Sequence, residues 1–304
     1  MKYTKFTSFD NTILVSYLWD DVRAPKGIVQ ISHGMAEHAR RYDDFAKYLN
    51  ANGYLVYADD HRAHGNTEKK INIGYHDGDI YNDTIKDEIE ITKYLKEKYN
   101  VPLVYFGHSY GSFLGQGYLQ QNNGACGVIL TGSARMPGGI VSAGAAVSKM
   151  MCKLSGAQKK GEFMNKLSFG SYNSPFKKEG HAFAWLSRDA QQVRKYFDDE
   201  QCGYVMSNAF YKSFMSGLKS VYKPENLSKI DKNSSIALFS GEADPVGGKR
   251  ASYVKKLFAM YKGLGINSVT LKVYPEARHE ILNETNNKEV YADILLKINE
   301  FIAK

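Results

Sequence analysis

A serine hydroxyl becomes a nucleophile at neutral pH only when a base takes its proton and a carboxylate orients that base. The chain holds those three residue types in the order serine, acid, histidine, each just after a segment that reads as a β-strand. Ser109 sits in Gly107-His-Ser-Tyr-Gly111, between the apolar run 103–106 and a helical pattern over 113–121. Strand, sharp turn and helix make a nucleophile elbow. Such a turn needs positive φ at the serine, and its glycines leave room where side chains would strike the packed strand and helix. Asp244 follows the predicted strand 235–240 in Ser240-Gly-Glu-Ala-Asp-Pro-Val246, and His279 follows the strand 269–274 in Tyr274-Pro-Glu-Ala-Arg-His-Glu280. Glu242 is the nearest rival to Asp244; the short acid before the rigid Pro245 is preferred. This is the chemistry of acyl transfer.

Acyl transfer also needs donors for a developing oxyanion. The Tyr110 N–H follows the nucleophile and supplies one. The segment His33-Gly34-Met35 follows the strand at 26–33, and the Met35 N–H is the second candidate. His33 reads as a brace for that loop, and His108 as a packing residue turned away from the reaction. His61-x-x-His64 lacks a third ligand at zinc spacing, so no metal is expected. No Gly-x-Gly-x-x-Gly fingerprint follows any strand.

The elements that must position these residues alternate. A hairpin is expected over 3–19, strands near 26–33, 54–58, 103–106 and 126–131, and helices over 42–52 and 83–99. That rhythm predicts an α/β fold: a mostly parallel central sheet with helices on both faces. It breaks between Gly132 and about Asp231, where the pattern is helical or irregular, and resumes with strands 235–240 and 269–274 and a closing helix over 288–302. The expected organisation is therefore core 1–133, helical cap insertion 134–228, and core 229–304.

With 43% hydrophobic and 24% charged residues, the 304-residue chain has an ordinary globular composition. Its net charge of +8 is scattered, which argues against a nucleic-acid partner. The doublets Lys159-Lys160 and Lys177-Lys178 are compatible with transient contact with a membrane surface. Three cysteines without metal or disulfide spacing, and an N-terminal segment without a signal-like apolar run, point to the cytoplasm.

Five segments together resemble the α/β-hydrolase fold, and within it the monoacylglycerol lipase and lysophospholipase-like branch. They are Gly107-His-Ser-Tyr-Gly111, His33-Gly-Met-Ala-Glu-His-Ala-Arg-Arg-Tyr42, Asp60-His-Arg-Ala-His-Gly65, Gly241-Glu-Ala-Asp-Pro-Val246 and Ala277-Arg-His-Glu-Ile-Leu282. Ser168-Phe-Gly-Ser-Tyr-Asn-Ser-Pro-Phe176, Trp185-Leu-Ser-Arg-Asp189 and Cys202-Gly203 resemble the cap of its bacterial members. The resemblance implies Ser109 as nucleophile, Asp244 and His279 as its partners, Met35 and Tyr110 as oxyanion donors, and no cofactor. It also places Glu37 and Arg41 toward the alcohol end of the pocket. Where animal monoacylglycerol lipases carry a second histidine, this chain has Leu282, which weakens the case for glycerol as leaving group.

The cap should then hold the acyl chain. Ile140, Val141, Val147, Met150, Met151 and Leu154 offer an apolar wall, with Phe163, Met164, Leu167 and Phe169 beside it. The expected activity is hydrolysis of carboxylic esters of single-chain lipids, monoacylglycerols or lysophospholipids, through an acyl-enzyme. A small-ester esterase, a thioesterase, a peptidase and a non-catalytic ligand-binding member of the fold remain alternatives, and oligomeric state is left open.

Overall fold

Eight strands form one sheet in the computed structural model, which describes every residue except Asn122. The strands are β1 (Lys2–Thr7), β2 (Ile13–Trp19), β3 (Gly27–Ser32), β4 (Tyr54–Asp59), β5 (Leu103–His108), β6 (Gly127–Thr131), β7 (Ser235–Gly241) and β8 (Ser268–Tyr274). Their order is β1-β2-β4-β3-β5-β6-β7-β8. β1 and β2 form the expected hairpin, β2 runs antiparallel to β4, and the remaining pairs are parallel. Parallel strands need crossovers, and helices supply them. These are α1 (Asp43–Ala51), α2 (Ile80–Tyr99) and α3 (Tyr110–Tyr118) in the first part of the chain. The elbow helix thus begins three residues earlier than its apolar pattern suggested.

β5 shows why the sheet is covered on both faces. Val104 and Phe106 pack with Phe45 and Leu49 of α1, while Leu103 and Tyr105 point to the opposite side, toward Leu95 of α2 and Tyr118 of α3. All six residues of the strand are buried. α9 (Ser252–Gly263) joins the α2–α3 side and α10 (Asn287–Ile302) joins α1.

Between β6 and β7 the chain leaves the sheet. It forms α4 (Gly138–Ser155), α5 (Glu162–Phe169), α6 (Ala190–Asp198), α7 (Asn208–Val221) and the short α8 (Pro224–Leu227). α7 is absent from the sequence reading, although Phe210, Phe214, Leu218 and Val221 recur at helical spacing and are buried. Among the described residues no helix is long and apolar enough to cross a membrane.

Candidate active site

The parallel strands end together, so the residues that follow β3, β5, β6, β7 and β8 meet along one edge of the sheet. Ser109 stands at φ 49° and ψ −115°, the strained conformation expected of the elbow. Its N–H donates to Thr131 O at 2.9 Å, and its carbonyl accepts from the Phe113 N–H at 3.0 Å. A Cβ on Gly111 would lie 2.1 Å from Ser32 O, and one on Gly107 would lie 2.5 Å from Gly111 O. Both glycines are sterically required.

The loops after β7 and β8 bring Asp244 and His279 together. His279 Nδ1 is 3.0 Å from Asp244 Oδ1, which also accepts the Val246 N–H at 2.9 Å. Both side chains are buried, whereas Glu242, the rival acid, is exposed. Burial alone would lower the imidazole's pKa. The Asp244 carboxylate, followed by Glu280 and Glu37, outweighs it, so His279 titrates above its ordinary value. The Trp185 ring lies over the imidazole with centroids 4.9 Å apart.

Two neighbours escaped the sequence reading. His108 does not turn away: its ring lies 4.8 Å from that of His279, and its Nδ1 is 3.0 Å from Thr131 Oγ1. Burial and then the adjacent His279 push its pKa down to about 3, so it stays neutral. Gly132 has φ +57°, and a Cβ there would lie 2.7 Å from His279 Cε1. Strand periodicity signals neither.

The loop after β3 is pinned from several sides. His33 behaves as a brace: its Nε2 accepts the His61 N–H at 3.0 Å and its Nδ1 donates to Gly34 O at 2.7 Å. Met35 follows, and Ala36 takes φ 54°. The Ala36 carbonyl accepts from Tyr196 Oη at 3.1 Å and from the Gly203 N–H at 2.9 Å. Glu37 is buried beneath this loop. It accepts the Gly34 N–H at 2.6 Å and the Tyr42 hydroxyl at 2.9 Å, and it pairs with Arg41. Arg41 donates to both carboxylate oxygens of Glu280, each at 2.8 Å. Burial opposes ionisation of Glu280, but Arg41 holds its pKa down at about 2.

Two cavities open on Ser109 and Met35. The smaller, about 170 Å³, is bordered by Glu37, His108, Trp185, His279 and Glu280. The larger, about 630 Å³, runs beneath α4 and α5 beside Ile140, Val141, Val147, Met164, Leu167 and Phe214. Tyr110 borders it too, with its phenol buried and held protonated by burial. Met150 and Met151 do not line it. Met150 is 49% exposed at the far end of α4, and Met151 packs against the apolar cluster beside the cavity. The wall falls on the preceding turns of the same helix. Arg41 lines neither of these cavities; it borders a separate, tighter crevice with Glu280 and Tyr42.

Two groups of donor atoms stand close enough to be weighed as metal sites: Asp59, His61 and Glu88, and His38, Asp199 and Cys202. In the first, burial lowers the His61 pKa, but Asp59, followed by Glu88 and Asp60, outweighs burial and raises that pKa to about 9. In the second, burial raises the Cys202 thiol well above its ordinary range and keeps it protonated. The imidazoles of both sets are already engaged by hydrogen bonds: His61 with Asp59 at 2.9 Å and Ser32 Oγ at 3.0 Å, and His38 with Asp199 at 2.8 Å.

These features define a serine hydrolase of the α/β-hydrolase fold. Residues 23–286 match the Hydrolase_4 model, described as serine aminopeptidase, S33, and the chain belongs to that family. It is 26% identical over 293 residues to a monoacylglycerol lipase from Mycolicibacterium smegmatis, an alignment covering 95% of this chain and 94% of that protein. Other matches are local: 33% identity to a monoglyceride lipase homolog of Monkeypox virus spans 107 residues, 34% of this chain and 37% of that protein. A carboxyl esterase from Bacillus coagulans, solved in complex with glycerol, superposes with a TM-score of 0.88 at 28% identity over 99% of this chain and 98% of the other. Monoglyceride lipase from Saccharomyces cerevisiae, solved with a substrate analog, gives 0.75 at 20% identity over 99% of this chain and 95% of that one. The chain is of the monoacylglycerol lipase and esterase type.

Proposed function

We propose that the protein hydrolyses carboxylic esters of single-chain lipids, monoacylglycerols or lysophospholipids, through an acyl-enzyme on Ser109. The observation that carries this reading is the pair of unequal cavities meeting at that serine. The larger, mostly apolar space fits an acyl chain, and the smaller one, where Glu37 and Glu280 stand among aromatic rings, fits the alcohol. Residues 134–228 act as the cap that roofs both. His279 takes the Ser109 proton during attack and returns it to the leaving alcohol, while Asp244 holds the imidazole in the required tautomer. The N–H groups of Met35 and Tyr110 receive the oxyanion. Water then repeats the cycle on the acyl-enzyme. Glu37 and Arg41 act by fixing the loop that carries Met35.

An aminopeptidase reading fares worse. It would need a free carboxylate for the substrate's ammonium group, yet Glu37 and Glu280 in the smaller cavity already answer to Arg41, the Gly34 N–H, Tyr42 and Asn283. The test is a panel of acetyl and butyryl esters, a long-chain monoacylglycerol, a lysophospholipid and an aminoacyl amide, assayed with wild type and Ser109→Ala. Preference for the single-tail lipids is expected, with kcat reduced ~10⁵-fold in the variant. Turnover confined to short esters, or to the amide, would discard the lipid assignment.

A further inference from the structure

The loop that carries His279 is held as much by the insertion as by the sheet. Three successive residues reach into segment 184–187. Arg278 Nη1 donates to the carbonyls of Ala184 at 2.6 Å and Ser187 at 3.1 Å. The His279 N–H donates to Trp185 O at 3.4 Å, and the Glu280 N–H to Leu186 O at 2.8 Å. From the other side, buried Glu284 accepts the Arg278 N–H at 2.8 Å, the Arg188 N–H at 3.2 Å and Arg188 Nε at 2.8 Å. Ser187 Oγ adds a bond to Asn283 O at 2.7 Å.

Arg278 is the centre of this joint. It is 7% exposed, pairs with Glu179, and lies over the Phe176 ring at 4.0 Å. A guanidinium is costly to bury, and here its partners are two insertion carbonyls and an insertion carboxylate. It borders neither cavity, so substrate contact does not account for it. The joint does have one consequence for chemistry. It sets the Trp185 ring against the imidazole, closing one face of His279 while Asp244 holds its Nδ1.

We propose that Arg278 is a positioning residue: it locks segment 184–188 of the insertion onto the His279 loop, making that segment a fixed part of the catalytic centre and not a moving lid. The inference rests on His279 acting as the base. Small displacements of a base are expensive in rate, since misplacement by about 1 Å can cost ~10²-fold.

The test compares wild type, Arg278→Met and Arg278→Lys on a p-nitrophenyl ester, with thermal unfolding as a control. The Met variant should lose ~10–100-fold in kcat with KM little changed, and Lys should recover part of the loss. In a Ser109→Ala background, the low-field proton resonance of His279 Nδ1–H should be sharp with Arg278 present and broadened with Met. Wild-type kcat in Arg278→Met would overturn the proposal, as would a loss of kcat with the resonance still sharp. If the Met variant does not fold, Glu284→Gln, which loosens the same joint, carries both readouts with the same outcomes. Failure of the hydrolase reading would look different, because wild type itself would then turn over no ester.

Discussion

Two halves of one insertion are held by different forces. Residues 138–169, with α4 and α5, show Ile140, Met150, Leu154, Phe163 and Leu167 to solvent. Among the described residues, apart from bonds to its chain neighbours Pro137 and Ser174, this half and the following turn bond to residues 206–211: Gly161 N–H to Met206 O, Asn208 N–H to Lys159 O and Tyr211 Oη to Asn165 Oδ1. Residues 173–203 are instead bonded to the core. Arg278 pairs with Glu179, Arg188 with Glu284 and His38 with Asp199, and the Ala36 carbonyl takes two bonds from Tyr196 and Gly203. Apolar contact is non-directional and survives sliding, whereas a buried polar network has one good geometry. The half over the large cavity can therefore adapt its shape. The half beside His279 cannot.

The largest effect is expected at the imidazole. Gly132→Ala places a methyl group against the His279 ring at a residue with φ +57°. If the His279 side is as rigid as its bonds indicate, kcat should fall ~100-fold with KM for short esters unchanged. A variant with wild-type kcat would show that the ring simply yields. A smaller effect is expected on the other side: Val147→Trp should fill part of the large cavity and raise KM for a long-chain ester by ~10-fold. Butyryl ester turnover should stay as in wild type, and equal losses on both substrates would mean that the two halves are coupled. The smallest effect is electrostatic. Since Asp244, then Glu280 and Glu37, raise His279, the acidic limb of kcat/KM should lie above the ordinary histidine value, activity being lost as pH falls through it. Glu280→Gln removes a charge that favours imidazolium, so the limb should move to lower pH, by less than about one unit. A shift upward would refute that account of the charges.

How much of this was legible depended on whether a residue's job is local. Ser109, Gly107 and Gly111 answer to a turn that the surrounding dozen residues already spell, and Asp244 and His279 follow strands whose composition is plain. The strands and most of the helices flanking the sheet are likewise written in short periodicities, whereas the order of the strands across it is set by long-range pairing that no local pattern spells. Met150 lies away from the cavity for a reason no local pattern shows: α4 is apolar or small nearly all round, so its sequence does not say where along the helix the cavity ends. The direction of His108 is not legible locally because it depends on the loop after β6, where Gly132 leaves space for two rings. Arg278 offered no periodic signal, since its partners lie roughly ninety residues upstream.

The pairing of Arg41 with Glu280 joins residues 239 positions apart. Closing so long a loop comes late for a growing or refolding chain, because its entropy must be spent before the contact forms. Until β8 docks, the serine elbow is complete in sequence, but His279 is not beside it and the small cavity lacks a wall. On the proposal that His279 is the base, the hydrolase is silent until nearly the whole described chain has folded around Ser109, and its activity then reports complete folding.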